Sequence, residues 1–313
     1  MILNMQNTAF IFPGQGSQTV GMGKDLAAQH PIAKQTFDEA DSILGFSLSK
    51  LMWDGPDADL NDTVNTQPAL YIHSLAAFRT FSHLFPNLTP ASLAGHSLGE
   101  LSALTAAGAL SFADGLRLVR RRGELMKHAG TLAPGGMAAI LGLDIPTLDK
   151  VCADASTPDE LAQVANDNCP GQVVISGAKP AVERAMAGAK SAGAKRALPL
   201  AVSIAAHSPL MASIQEEWND VVNNAGFSPL KIQVIGNVHA KALEDEESAR
   251  TDIKSQMQSR VRWTESVKLM SAQGVTTFVE VGTGSVLGGL IKRIVDGAAV
   301  YPLGNPQDFT ALD

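Results

Sequence analysis

Two cysteines in 313 residues are too few for a disulfide framework, and Cys152 and Cys169 stand outside any metal-ligand spacing. They read as buried free thiols, which points to a reducing, cytoplasmic location. Positive charge is scarce as well: 24 Lys and Arg against 31 Asp and Glu give a formal net charge of -7. That balance leaves no basic footprint for nucleic acid or an anionic membrane, although one local arginine can still hold an anionic ligand. Long hydrophobic runs are missing. The apolar stretches are broken by glycine, serine or histidine and fall short of a membrane span. The start, MILNMQNTAFIFPGQG, lacks the basic segment and long apolar core of a signal peptide, so a strand of the mature domain is expected there. No internal repeat or low-complexity tail interrupts the pattern.

What is present is enough apolar sequence, 45% of residues against 18% charged, to bury a sizeable core. One large domain with a smaller insert fits this length. The spacing predicts a strand over 8–12 ending in FPGQGSQ, a helix over 22–44, an amphipathic helix over 67–85 and a strand over 92–97. Two Ala- and Leu-rich helices follow, over 98–110 and 111–129. Strands alternating with helices indicate a parallel α/β sheet. From 135 to 203 the order becomes strand (137–143), helix (146–155), strand (172–177), helix (179–193), strand (194–203), a small split βαβ unit. The large domain, 1–134, resumes over 204–313. There a helix is expected near 208–224, a strand over 231–237, a helix near 248–259, a strand over 276–282 and a helix over 285–295.

Three places carry chemistry. GHSLG (95–99) matches the G-x-S-x-G elbow, in which glycines permit a sharp reversal and lift the serine above the sheet at a helix N-terminus. On the motif alone, Ser97 is equally a nucleophile or a serine in a tight turn. A nucleophilic serine needs a base. Of seven histidines, His30, His83 and His128 sit on polar helices, His73 lies in an amphipathic helix, and His96 adjoins the serine and points away. Of the other two, His207 and His239, the informative one is His207, in the apolar loop AVSIAAHSPLM, as a base or a packed histidine, with no acid obviously paired to it. On the helix from Phe112, at about 100° per residue, Leu116, Val119, Gly123 and Met126 lie within about 40° of Phe112, and Leu118 and Leu125 extend the arc to about 220°. Arg122 falls inside that arc at about 280°, while Arg117, Arg120, Arg121, Glu124 and Lys127 lie on the polar side. Such an arginine either snorkels out or meets an anion. Finally, the turn PGQGSQ offers the Gln15 amide, which with the Leu98 amide at the helix start supplies a pair of oxyanion donors; its other reading is an ordinary glycine turn.

Together FPGQGSQTVGMG (12–23), TQPAL (66–70), AGHSLGE (94–100), RRG around Arg122, GQVVISG (171–177), AGAKRALPL (192–200) and EVGTGSVLGGLIKR (280–293) resemble the malonyl-CoA:acyl carrier protein transacylases of fatty acid synthesis, in order and over nearly the whole chain. The resemblance implies a large α/β-hydrolase-like domain with a ferredoxin-like α+β subdomain as its insert. It implies that Ser97 takes the malonyl group as an ester, that His207 activates it, and that Arg122 holds the free carboxylate. Gln15 and Leu98 would form the oxyanion hole, the backbone carbonyl of Gln256 would orient His207, and Asn168 would belong to the cleft edge. It implies no metal and no permanently bound cofactor. Malonyl-CoA is the implied donor, the phosphopantetheine of acyl carrier protein the acceptor, and a monomer the expected state. Three positions depart from the family pattern: Leu101 replaces a frequent tyrosine, Thr283 a frequent proline, and QSRVRW a more usual N-P-x-x-W.

Other readings of the elbow are a serine esterase or thioesterase and an acyltransferase of a polyketide-type pathway. The hydrolase order places the histidine late in the chain, whereas none follows His239 here, and a simple esterase gives Arg122 no task.

Overall fold

The computed structural model describes residues 3–202 and 204–312. Position 203, the last of the strand expected over 194–203, and positions 1, 2 and 313 within the domain bounds lie outside the described residues. Among the described residues the strands are β1 (Thr8–Phe12), β2 (Ser92–Gly95), β3 (Gly135–Leu141), β4 (Ala162–Cys169), β5 (Gln172–Ala178), β6 (Arg196–Pro199), β7 (Val234–Ile235), β8 (Ala242–Leu243), β9 (Thr277–Val281) and β10 (Ala299–Leu303). They form a six-stranded sheet, in the order β10-β9-β1-β2-β7-β8, and a four-stranded sheet, in the order β4-β5-β3-β6. The fold is α/β, with one sheet mostly parallel and the other antiparallel.

β1 shows why the large sheet is covered on both faces. Its sequence TAFIF is buried throughout, the mark of a strand enclosed by helices. Successive side chains enter opposite cores: Phe10 and Phe12 pack with the helix Thr63–Leu84 through Phe78 and Phe81, while Ala9 and Ile11 join Trp263, Val267 and Leu290 on the other face. β1 pairs in parallel with β2 and β9, in a register that sets Phe12 beside Gly95. The turns following β1 and β2 therefore emerge together at the carboxyl ends of the strands, where open α/β sheets hold ligands.

The structure corrects several expectations. The large sheet is not wholly parallel: β8 runs antiparallel to β7, because the few residues joining them allow only a hairpin. The strand expected over 231–237 shrinks to Val234–Ile235. The insert has four strands where three were expected, with β4 paired to β5 across Pro170 and Gly171, whose φ is +73°. The expected helix over 22–44 is two, Lys24–Gln29 and Pro31–Leu44, since proline biases His30 out of the helical region and itself starts the next helix. The helix expected near 208–224 is a 3-10 turn, Pro209–Ile214, followed by Gln215–Asn223. The helix Trp263–Ala272, β10 and the short helix Pro306–Thr310 were not foreseen. No helix of the described residues is long and apolar enough to cross a membrane. Cys152 and Cys169 are both free and buried.

Candidate active site

The turn at Ser97 is set by backbone crowding. A Cβ on Gly95 would lie 1.9 Å from the Gly99 carbonyl carbon, and one on Gly99 would lie 2.1 Å from the Phe12 carbonyl oxygen. Only glycine lets the outgoing helix Gly99–Ala106 pass so close to β1 and β2. Ser97 itself sits at φ +53°, a strained value for a residue with a Cβ. The strain is held by hydrogen bonds: the Ser97 N–H donates to Asn237 Oδ1 at 2.8 Å, and Asn237 Nδ2 donates to the Gly95 carbonyl at 2.7 Å. Gly14 brings the PGQG turn alongside, where a Cβ would meet the His96 carbonyl oxygen at 2.5 Å.

Ser97 Oγ lies 2.7 Å from His207 Nε2. His207 Nδ1 faces two carbonyl oxygens, that of Gln256 at 2.9 Å and that of Ser259 at 3.2 Å. Nδ1 therefore carries the proton, and Nε2 accepts from the serine hydroxyl. Burial and then the Arg122 charge push the His207 pKa down to about 3, so the ring is neutral at physiological pH. His207 is also at positive φ, +58°, and its carbonyl accepts from Gln163 Nε2 at 2.7 Å.

Arg122 is 2% exposed, so it does not snorkel. Its helix, Phe112–Leu132, packs closely on the start of Thr63–Leu84 because Gly123 has no side chain; a Cβ there would be 2.8 Å from the Thr63 carbonyl oxygen. That approach lets Arg122 Nη1 reach Gln67 Oε1 at 2.8 Å, while Nη2 reaches Gln256 Oε1 at 2.8 Å and Ser97 Oγ at 3.1 Å. Burial lowers the guanidinium to about 10, and it remains charged at neutral pH. Its direct partners are neutral oxygens, so a buried cation stands beside the serine with no carboxylate in its own hydrogen-bond shell. An arriving anion would meet that need.

Gln15 and Leu98 line the same cleft of about 360 Å³ with Ser97, Arg122 and His207. Asn168, on β4, also lines it but bonds His96 Nε2 at 2.9 Å and not Ser97. His96 lines the cleft too, but its Nε2 is engaged by Asn168 and not by the serine oxygen. Gln256 contributes more than its carbonyl, since its side chain bonds Arg122, the Ser97 carbonyl and Glu100. The sequence reading overlooked Gln67, Asn237, Glu100 and Asp252. Gln67 offered a signal, as a polar residue on the apolar face of an amphipathic helix, just before Pro68. Among the described residues, no group of three or more His, Cys, Asp or Glu side chains is placed to hold a metal ion.

Residues 9–302 match the family model described as an acyl transferase domain. A Haemophilus influenzae malonyl CoA-acyl carrier protein transacylase is 46% identical over 309 residues, 99% of either chain. The crystal structure of a Vibrio cholerae acyl carrier protein S-malonyltransferase superposes with a TM-score of 0.95 at 46% identity, covering 98% of this chain and 100% of that one. A structure of a type II PKS acyl-carrier protein in complex with its malonyl-transacylase gives 0.93 at 41% identity, over 97% and 98% of the two chains.

Proposed function

From the premise that the chain belongs to the acyl transferases, and among them to the malonyl-CoA:acyl carrier protein transacylases, we propose that Ser97, His207 and Arg122 carry its reaction. The enzyme transfers a malonyl group from malonyl-CoA to the phosphopantetheine thiol of acyl carrier protein. The observation that carries the residue assignment is the single serine oxygen held between the His207 imidazole and the Arg122 guanidinium. In the first half-reaction Ser97 Oγ bonds to the malonyl carbonyl carbon as its proton passes to His207 Nε2. The oxyanion is received by the Gln15 and Leu98 amides, neither of which donates to another group among the described residues. The C–S bond then breaks, and His207 returns the proton to the departing thiolate. The second half-reaction runs the same steps in reverse, with the carrier-protein thiol attacking the seryl ester. Arg122 receives the free malonyl carboxylate, its fork matching two oxygens.

We read the larger unit, 1–134 and 204–313, as α/β-hydrolase-like and 135–203 as a ferredoxin-like insert. Support comes from the β-α-β-β-α-β order of the insert and its antiparallel sheet with β3 and β5 in the centre. A cytoplasmic location accords with two buried, unpaired thiols.

The test is intact-mass analysis. Malonyl-CoA should add one malonyl group per chain, and the phosphopantetheinylated carrier protein should remove it. A stable unlabelled chain that still transfers malonyl would contradict a seryl-ester relay. For His207→Ala we expect transfer to fall about 10²-fold or more, the usual size for loss of a general base. The pH dependence has a definite sign. A base whose pKa is lowered to about 3 is already deprotonated at pH 6, so wild-type kcat/KM should not fall between pH 8 and about 5 on account of His207. A fall centred at the ordinary histidine pKa of about 6.5 would argue against this buried base.

A further inference from the structure

Beneath the nucleophile turn lies a second polar layer. Glu100, in the first turn of the helix after Ser97, is fully buried, and Asp252 is 4% exposed. The Asn237 N–H lies 3.3 Å from Glu100 Oε1 and 3.1 Å from Asp252 Oδ2, so the two carboxyl groups share a donor and stand side by side. Two buried carboxyls so close cannot both ionise, and they share one proton. Burial first, and Asp252 second, hold Glu100 well above the usual carboxylate range. Asp252 is raised by burial too, but it also accepts the Val238 N–H at 3.3 Å, which favours its charged form. Glu100 is therefore the group that burial and its neighbour favour as the protonated one of the pair, and it still accepts from Gln256 Nε2.

We propose that Glu100, paired with Asp252, is a positioning residue for malonyl transfer: it fixes which way the Gln256 amide faces, and through that amide it holds Arg122. An amide is nearly symmetric in shape, so its orientation is set by its partners. Here the Gln256 NH2 group gives one hydrogen to the Ser97 carbonyl at 2.9 Å and the other to Glu100 Oε2, which leaves Oε1 for Arg122 at 2.8 Å. Reversed, the amide would set NH2 against the guanidinium and carbonyl against carbonyl. Asn237, whose N–H spans the acid pair, meanwhile grips Ser97 N–H from the other side. The acid pair thus braces both the serine backbone and the arginine without touching the acyl group.

This inference rests on Arg122 as the malonyl clamp, and the experiment separates the two. Steady-state kcat and KM for malonyl-CoA and acetyl-CoA would be measured in wild type, E100A, E100Q and Arg122→Ala. E100A leaves one buried amide hydrogen without an acceptor, and the malonyl-to-acetyl preference should fall about 10-fold, chiefly through the malonyl-CoA KM. E100Q keeps a carbonyl for Gln256 and an NH2 for Asp252, while the Asn237 N–H retains Asp252 Oδ2 as its acceptor, and it should restore most of the preference. Independently, infrared spectra with carbon-13 labelled glutamate should show a protonated carboxyl band in wild type at about pH 8 that is absent from E100Q. That band and the E100Q preference decide the matter even if E100A does not fold. Equal losses for both substrates in E100A, an E100Q variant as impaired as E100A, or a missing band would each overturn the proposal. An unchanged preference in Arg122→Ala would instead remove the clamp itself.

Discussion

Ser97→Ala should abolish the malonyl adduct and reduce transfer towards background, a loss on the order of 10⁵ to 10⁶ for removal of a serine nucleophile. The reason is chemical, because among the described residues no other hydroxyl or thiol hydrogen-bonds to His207 Nε2. Cys169 and Cys152 are buried in other parts of the fold, and burial raises both thiols above their ordinary range. The fold should survive. Alanine retains a Cβ at the same strained φ, the Ser97 N–H bond to Asn237 remains, and Arg122 keeps both glutamine oxygens. Intact mass after malonyl-CoA treatment, peptide mapping and a thermal melt check this together. An acyl group found elsewhere, or labelling that persists in the variant, would remove Ser97 from the mechanism.

Arg122→Ala should produce the second large effect, and a selective one. Truncating one member of a buried charge pair costs about 3–5 kcal/mol, or roughly 10² to 10³·⁵ in kcat/KM for malonyl-CoA. The acetyl group of acetyl-CoA has no free carboxylate, so its smaller loss should reflect only the Ser97 contact and the two glutamines. Arg122→Lys should recover part of the malonyl activity, since an ammonium supplies charge without the planar fork. The ratio of the two kcat/KM values is the measurement, and an unchanged ratio would defeat the clamp even if overall activity fell.

Much of this site was legible because its signals are local. The elbow glycines flank Ser97 directly, and the helical phase of Arg122 is computable from its own helix. Gln67 and Glu100 were not legible in that way, because their partners lie 55 and 156 residues away. A window of sequence shows a polar residue but not the buried acceptor it meets. The fourth strand of the insert was missed for a different reason. AQVANDNC breaks the alternation of a strand, and the structure shows register shifts between Val164 and Asn166 and between Asp167 and Cys169. Those irregularities accompany Asn166 and Asn168, which line the cleft. Pro31 should have divided the first long helix on sequence alone, by its effect on the preceding residue. β10 hid behind Pro302, tolerated because β10 is an edge strand.

Ser97, His207, Arg122, Gln67, Gln256 and the Gln15 turn all lie outside 135–203, whereas Met137, Ala139, Asn166, Val174, Leu200 and Val202 of the cleft wall lie within it. The serine, histidine and arginine and this part of the wall thus come from segments built around two separate cores, one at the large sheet and one at the small. A change of volume at Met137 or Val174 reshapes the space for the acyl chain without removing any hydrogen bond made by Ser97, His207 or Arg122, none of which goes to those two side chains. The shape of the acyl pocket is therefore divided: Arg122, in the same unit as the serine, faces the free carboxylate, while the insert sets the room left for the rest of the acyl group.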